Sequence, residues 1–373
     1  MAKAKAKARG REAELDSALE RAADLLGRAR FPIFGGLFTD IAGAAAALSL
    51  AETLGGVFDH ASSAGLMRAS KVMRETGATP ASFGEVRNRA DTVVVIGKGP
   101  LTRDPDLLDK LFPAKPGLPR PGDNKRELIL LGADNTKTDN PKTPKGLRTT
   151  AIDGKSPLPE LVALLAASLR EGRFDLRDKA LRTEIDETAA RLRKSAFAVF
   201  VYDPAELEEP VLHTVLEMVR HLVLTTRAAI LTTAASGNGD GVNLCSTWTC
   251  GLPVRTSFAG AVPQHDAWAY DTDRLLKSGE ADALVWIDAL AGESAVRPKG
   301  VSAVVLSANP GGAGKDDIVI EVASAAGDHD AALYLSPISG IGMVKAAKAN
   351  KDKPTVAAAL TRIAELIDER RAA

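Results

Sequence analysis

Apolar residues along this chain follow two periods in alternation. After a helical pattern over residues 12–27, Arg30-Phe-Pro-Ile-Phe34 gives way to Gly35-Gly36, as a strand does where it leaves a sheet. Further helices are predicted at residues 38–54, 66–76 and 105–111, and buried strands at residues 55–59, 91–96 and 127–131. Such alternation is typical of a parallel sheet covered by helices.

The second half of the chain repeats this arrangement. Helical patterns cover residues 158–169, 177–194 and 209–224, and apolar runs predict strands at residues 196–202, 228–233, 283–287 and 301–306. A chain of 373 residues is more than one compact core usually holds. We therefore expect two α/β domains, one formed by residues 1–155 and 325–373 and the other by residues 156–324. Six prolines between residues 113 and 147 predict long exposed loops around the 127–131 strand.

Composition excludes several classes of function. Lys plus Arg and Asp plus Glu each total 48, so no overall charge favours nucleic acid or an anionic membrane. The two cysteines, Cys245 and Cys250, are too few for a disulfide framework or for an iron–sulfur cluster, which commonly takes about four thiolates. The longest apolar runs stop well short of the roughly 20 residues that span a bilayer. The sequence therefore predicts a cytoplasmic chain.

The chain begins with a basic arm in which lysine alternates with alanine from Met1 to Arg11. An acidic, helix-forming stretch follows it, not the apolar core of a signal peptide. We expect a frayed, solvated tail, with an anion-binding arm as the alternative.

Two glycine-rich turns follow buried strands and are candidate ligand loops. Gly97 and Gly99 follow the 91–96 strand, where open sheets bind ligands, although any strand needs such a turn. Gly239 and Asn243 lie in a loop of residues 237–243 that could let a phosphate approach backbone amides. Because residues 244–250 are a poor helix start, we interpret that loop as structural.

Other residues that could bind ligands or take part in catalysis lie in patterns that are less specific for a functional site. The segment of residues 309–316 ends in Gly-Lys but lacks the first glycine of a phosphate-binding loop and has Asp316 where Ser or Thr would hold magnesium. The histidines and cysteines do not have the spacing of a zinc site, with His213 and His221 eight residues apart on one helix. Carboxylates at strand ends are compatible with general acid–base work, at Asp59, Asp203 and Asp288. From these residues alone we predict a two-domain α/β protein, and they do not specify its activity.

A resemblance narrows this picture. The segment Ser82-Phe-Gly-Glu-Val-Arg-Asn-Arg-Ala-Asp-Thr-Val-Val-Val-Ile-Gly97 resembles the B-type chain of formylmethanofuran dehydrogenase, of the molybdopterin-dependent formate dehydrogenase group. The resemblance continues in family order at Phe31-Pro-Ile-Phe-Gly-Gly36, Leu54-Gly-Gly-Val-Phe-Asp59, Gly241-Val-Asn243, Thr247-Trp-Thr-Cys-Gly-Leu-Pro253 and Gly279-Glu-Ala-Asp-Ala-Leu-Val-Trp286. It implies two Rossmann-like αβα domains that, in the family, surround a molybdenum or tungsten pterin.

The chain departs from the family at the residues that bind metal. The family's cysteine-rich iron–sulfur segment has no counterpart before Phe31, where this chain has no cysteine. After the 55–59 strand the family carries a Val-Cys-His-Gly-like segment whose cysteine ligates the metal, whereas this chain reads Asp59-His-Ala-Ser-Ser-Ala-Gly-Leu-Met67. Gly65 or a neighbour stands where the thiolate belongs, and His60 comes too early for the family's histidine. The resemblance therefore implies loss of molybdopterin and iron–sulfur cluster, with no catalytic or metal residue and with Gly97, Gly99, Gly239 and Asn243 as remnants of the cofactor cleft.

With these losses the chain is similar to the B-type subunits of bacterial formyltransferase/hydrolase complexes. Such complexes convert formyl-tetrahydromethanopterin to formate through a methanofuran-type carrier during formaldehyde oxidation. The resemblance implies a non-catalytic structural subunit that docks hydrolase, transferase and C-type subunits. Because repeated carboxylates favour basic patches, the arm from Lys3 to Arg11 or the loops around Lys142 and Lys145 are expected to contact the carrier's glutamyl tail. The alternatives are an active molybdo- or tungstopterin subunit and a small-ligand binding protein.

Overall fold

The computed structural model describes residues 2–113, 126–133, 147–152, 156–310 and 314–372, with side chains from Glu14 onward. The described chain divides into two units. Unit 1 contains Met1–Ser63, Ala235–Tyr334 and Gly340–Ala373, and unit 2 contains Ala64–Ala234 and Leu335–Ser339. Among the described residues, every helix is too short or too polar to cross a bilayer.

Helices and strands alternate along the described residues. The helices are α1 (Ala2–Arg28), α2 (Ile41–Leu54), α3 (Ser63–Thr76), α4 (Phe83–Arg89), α5 (Gly99–Arg103), α6 (Leu107–Leu111), α7 (Leu158–Leu169), α8 (Lys179–Lys194), α9 (Glu209–Val223), α10 (Gly239–Cys250), α11 (Thr272–Ser278) and α12 (Val356–Ala372). The strands are β1 (Pro32–Phe38), β2 (Val57–Phe58), β3 (Thr92–Ile96), β4 (Glu127–Leu131), β5 (Arg148–Ile152), β6 (Phe197–Tyr202), β7 (Arg227–Thr232), β8 (Thr256–Ser257), β9 (Gln264–His265), β10 (Ala283–Asp288), β11 (Ala303–Ser307), β12 (Ile318–Glu321), β13 (Ala331–Leu335) and β14 (Gly340–Val344).

Unit 1 is built on a seven-stranded sheet in the order β12-β11-β10-β1-β2-β8-β9. The strands from β12 to β2 are mutually parallel, and β8 and β9 extend the β2 side in antiparallel fashion. The central strands β1 and β11 are buried along their whole length, which explains their unbroken apolar sequences. Helix α12 packs against α1 and α2 and buries Leu360 and Ile363 among other apolar side chains.

Unit 2 is built on a five-stranded, wholly parallel sheet in the order β5-β4-β3-β6-β7. Valine, isoleucine and phenylalanine dominate β3 and β6, and every residue of both strands is buried. Helix α4 in this unit begins with a reciprocal capping box, in which the Ser82 hydroxyl accepts the Glu85 N–H and the Glu85 carboxylate accepts the Ser82 N–H. Each unit is thus a sheet flanked by helices, wholly parallel in unit 2 and parallel from β12 to β2 in unit 1, as the alternating pattern predicted.

The predicted domain boundaries differ from the observed ones. The sequence placed residues 235–324 with residues 156–234, but β10 pairs with β1 in the sheet of unit 1. Residues 64–155, expected in the first domain, provide β3, β4 and β5 of the unit 2 sheet. The cause is long-range strand pairing, which a periodicity pattern along one segment does not encode.

Two local predictions were also wrong, and a third concerns residues outside the described part of the chain. Strand β1 does not end at Gly35-Gly36 but continues to Phe38, with an irregularity in its pairing to β10 and a positive φ of 73° at Gly36. The basic arm is the start of helix α1 rather than a frayed tail, although its side chains lie outside the described part. The loops around Lys142 and Lys145 lie outside it altogether.

Candidate functional site

In unit 1, a polar cavity lies at the carboxyl ends of β1 and β10. The chain leaves β1 towards β2 on one side and later adds β10 on the other, which makes this edge the topological switch point where open sheets bind ligands. The cavity has a volume of about 470 Å³ and is lined by Phe38, Ala61, Ser62, Ser236, Glu293, Ser294, Ala295 and Val296.

His60 lies behind this cavity as a buried, neutral side chain. The Ser62 N–H donates to His60 Nδ1 at 2.9 Å, so the ring proton is on Nε2, which donates to the Gly237 carbonyl at 3.1 Å. The ring also stacks on Phe38, with 5.4 Å between centroids. Burial lowers the pKa of His60 to about 4, although the bond to Gly237 acts in the opposite direction. Both ring nitrogens make hydrogen bonds to the backbone of this chain, so this geometry does not support His60 as a general acid or base.

Asp59 belongs to a buried ionic network. Its Oδ2 accepts the Thr272 N–H and hydroxyl at 3.0 and 2.8 Å, and its Oδ1 lies 3.6 Å from Arg255 Nε. Arg255 also binds Asp271 at 2.6 Å and donates to the Ser63 hydroxyl at 3.0 Å. Burial raises the pKa of Asp59, and the charge of Arg255 opposes that rise. This network ties β2 to the segment that starts α11.

The remnant-cleft candidates in unit 1, Gly239 and Asn243, lie in a helix and not in a loop. A short 3-10 turn, Ser236–Asn238, leads directly into α10, whose first residue is Gly239. A Cβ on Gly239 would lie 3.1 Å from His60 Cε1, and Asn243 Oδ1 accepts the Val254 N–H at 3.1 Å. The predicted structural loop is therefore wrong, because packing of α10 against α2 stabilises a helix that its composition disfavours.

The candidates in unit 2, Gly97 and Gly99, surround a carboxylate of the same chain. Glu206 Oε1 accepts the Lys98 N–H at 2.9 Å and its Oε2 accepts the Gly99 N–H at 2.7 Å. A Cβ on Gly97 would lie 2.3 Å from this carboxylate, and one on Gly99 would lie 2.5 Å from it. The glycines thus make room for Glu206.

Gly65 lies against backbone, and it or a neighbour was expected to stand where the family has its metal-ligating cysteine. Gly65 is in the first turn of α3, and a Cβ built there would lie 2.9 Å from Ala205 N and 3.2 Å from Pro204 C. Real Cβ atoms do not approach backbone atoms this closely. A side chain that supplies the thiolate ligand of a molybdenum or tungsten centre therefore does not fit at Gly65.

The strand-end carboxylates each accept hydrogen bonds within their own unit. Asp203 Oδ2 accepts two N–H groups of Arg103, at 3.1 and 3.2 Å. Asp288 accepts the Ser294 hydroxyl at 2.7 Å and the Ala295 N–H at 3.0 Å. Like Asp59, they stabilise turns and helix starts.

His213 lies on the surface of unit 2 beside two carboxylates that are distant from each other in sequence. Its Nε2 lies 3.1 Å from Glu75, and ligand atoms of His213, Glu75 and Glu209 all lie within 4.8 Å of one another. Glu209 also accepts a hydrogen bond from Lys71 at 2.6 Å, so a cation already balances this cluster. An exposed acidic pair that binds a lysine is an ordinary surface arrangement.

The remaining histidine and cysteines that the sequence pointed to have partners or burial of an ordinary structural kind. His221 Nε2 lies 3.1 Å from the Leu169 carbonyl. Cys245 is buried in α10, and burial raises the pKa of its thiol. Of the segment at residues 309–316, residues 311–313 lie outside the described part. Sequence reasoning missed Arg255 and Glu206, whose partners are distant in sequence and leave no local signal.

Comparisons with known proteins give a consistent result. The chain is 30% identical over 282 residues to the B-type chain of the formyltransferase/hydrolase complex Fhc of Methylorubrum extorquens, an alignment that covers 76% of this chain and 74% of that protein. It is 24% identical over 285 residues to the B-type chain of the tungsten-containing formylmethanofuran dehydrogenase 2 of Methanocaldococcus jannaschii, covering 74% and 64% of the two chains. No protein-family model matches the chain.

The fold matches a solved structure over nearly its whole length. A chain in the crystal structure of the formyltransferase/hydrolase complex from Methylorubrum extorquens, solved in complex with methylofuran, superposes with a TM-score of 0.83 and 27% identity. The match covers 96% of this chain and 97% of that one.

Proposed function

This chain belongs to the family of B-type subunits of formyltransferase/hydrolase complexes, and from that membership we propose that it is a structural, non-catalytic subunit of such a complex. The complex would pass a formyl group from formyl-tetrahydromethanopterin to a methanofuran-type carrier and release it as formate in the cytoplasm. The observation that carries the assignment is the match, over 96% of this chain, to a chain of the solved complex.

Two features support a role without redox chemistry. The backbone beside Gly65 leaves no space for a metal-ligating side chain at this residue, which is among the positions where the family's cysteine is expected. The buried histidine nearest the cavity of unit 1, His60, is neutral and has both ring nitrogens engaged. The chemistry of the complex would then reside on its other subunits, and the basic arm from Lys3 to Arg11 would contact the carrier's glutamyl tail.

Exposed aromatic side chains support the docking role. Of the three tryptophans, Trp248 and Trp268 are 56% and 72% exposed. Trp248 lies one helical turn after the exposed Leu244 on α10, so the two apolar side chains share an exposed face. Exposed tryptophan is unusual on a solvated surface and is enriched at the centres of protein interfaces. We expect another subunit of the complex to cover this face.

Replacing Trp248 by aspartate tests this docking face. Loss of a central tryptophan commonly costs about 2 kcal/mol or more of binding free energy, equivalent to roughly a thirtyfold higher Kd. We expect co-purification of the partner subunits through a tag on this chain to fall accordingly. The control is Leu224→Asp, which changes an apolar side chain that is 78% exposed in unit 2. Equal recovery of partners with Trp248→Asp and with the unsubstituted chain, both folded, would contradict the proposed docking face.

A further inference from the structure

The carboxyl edge of the unit 2 sheet has the geometry of a ligand site. The chain runs from β3 through β4 to β5 on one side and later adds β6 and β7 on the other, so the switch point lies between β3 and β6. Parallel sheets bind ligands at this position, where loops after two neighbouring strands diverge. At the end of β3, the N–H groups of Lys98 and Gly99 form a cradle, and an anion could accept the hydrogen bonds that they donate.

That cradle is occupied by the segment that follows β6, residues 203–207. Glu206 within it accepts both N–H groups with separate carboxylate oxygens, at 2.9 and 2.7 Å. The carboxylate is therefore where a phosphate or carboxylate of a bound molecule would be.

Two arginines fix the same segment. Arg103 donates two hydrogen bonds to Asp203 at its start, and Arg68 donates to the Leu207 carbonyl at 2.6 Å at its end. Asp203 and Leu207 are both buried, with 6% and 1% of their surfaces exposed. The segment is thus held at both ends by charge-assisted bonds, which are stronger than neutral ones.

The backbone of this segment also occupies the space beside Gly65. Pro204 and Ala205 provide the atoms that a Cβ on Gly65 would meet, at 3.2 and 2.9 Å. One short segment therefore fills both the anion cradle after β3 and the space for a side chain at the start of α3.

We infer that residues 203–207 are a built-in plug, which occupies the ligand position of unit 2 with the chain's own carboxylate. The plug excludes anionic cofactors, such as those that carry phosphate groups, and leaves no room for a ligating thiolate at Gly65. The carboxyl edge of the unit 2 sheet, where ligands bind in other parallel sheets, is thus filled by the chain's own residues and has a structural role. The inference concerns this chain alone and does not depend on which partners it binds.

Hydrogen–deuterium exchange of the full chain, resolved at residues 97–103, tests the plug. In Glu206→Ala, exchange at Lys98 and Gly99 is expected to accelerate about tenfold or more, as for loss of bonds to a charged acceptor. Inorganic phosphate added to this variant should slow the exchange again, and should have no effect on the unsubstituted chain. Glu206→Gln keeps one acceptor oxygen and is expected to be intermediate.

Glu187→Ala is the control, because Glu187 is a glutamate of the same unit that is 67% exposed on its side chain, and its ion pair is with Arg191 in its own helix, α8. Its exchange at Lys98 and Gly99 should be unchanged, and exchange in β4 should be unchanged in every variant. Unaltered exchange at Lys98 and Gly99 in both Glu206 variants would overturn the inference. So would exchange in Glu206→Ala that phosphate does not slow, because the cradle would then not be an anion position.

Discussion

Replacing Arg255 by alanine is expected to lower the free energy of unfolding by about 3–5 kcal/mol, the range found when one partner of a buried ion pair is removed. Arg255 is 11% exposed on its side chain and lies between two carboxylates, Asp59 and Asp271. Its loss leaves the Asp59 carboxylate, 3% exposed, without a compensating charge. Urea denaturation of both proteins measures the difference.

The effect should depend on pH in a defined direction. Burial already raises the pKa of Asp59, and Arg255 opposes that rise, so the pKa rises further in the variant. A carboxyl with a higher pKa in the folded state binds protons on folding, so stability falls as pH rises above its unfolded pKa. The loss in Arg255→Ala is therefore larger near neutral pH than at about pH 5.

Arg30→Ala is the control for this experiment. Arg30 is 92% exposed and lies 3.7 Å from Asp282, and an exposed pair of this kind contributes at most about 1 kcal/mol. The double variant Asp59→Asn with Arg255→Met should recover part of the lost stability, because the Asp59–Arg255 charge pair is removed as a whole. A loss below about 1 kcal/mol in Arg255→Ala would show that the network does not stabilise unit 1.

Gly65→Ala is expected to destabilise the protein by about 1–3 kcal/mol, the usual cost of overpacking. In an ordinary helix the same change stabilises by about 1 kcal/mol, so the sign of the effect is diagnostic. The new Cβ would lie 2.9 Å from Ala205 N, and the backbone of this segment cannot yield as the end of a flexible side chain can. Gly65→Cys should be at least as unstable and should not create a metal site. Thermal unfolding measures both.

Gly84→Ala provides a matched comparison in helix α4. Gly84 also lies in the first turn of a helix in unit 2, but a Cβ there would meet only the Ser82 hydroxyl oxygen, at 3.8 Å. We expect it to be neutral or stabilising. If Gly65→Ala and Gly84→Ala were equally stabilising, the space beside Gly65 would be open to a ligating side chain.

The sequence pattern predicted some parts of this fold well because their signals are local. The buried strands β3 and β6 are apolar along nearly all their length, and the helix over residues 158–169 has the same bounds in the structure. Pairing between β1 and β10 could not be predicted, because nothing in either strand specifies a partner so far away in the chain. Helix α10 was missed because tertiary packing overrides the low helix propensity of its glycine-rich start.

The candidate site was likewise predictable only where its signals are local in sequence. Gly97 and Gly99 could be identified as a turn after a buried strand, since glycines leave a clear local pattern. Their occupant, Glu206, could not be identified, because it is 107 residues from Gly99 and resembles any exposed glutamate in sequence. The resemblance supplied the position of Gly65, and the structure supplied the reason that a side chain there has no room.

The central claim, that this subunit is structural and has no pterin metal centre, is tested most directly on the complex purified natively through this chain. Metal mass spectrometry would measure molybdenum and tungsten, and fluorescence of the oxidised pterin released on denaturation would measure the cofactor. We expect neither metal nor pterin in stoichiometric amount, with the partner subunits still co-purifying. One molybdenum or tungsten per chain, together with pterin, would contradict the claim and restore a redox enzyme.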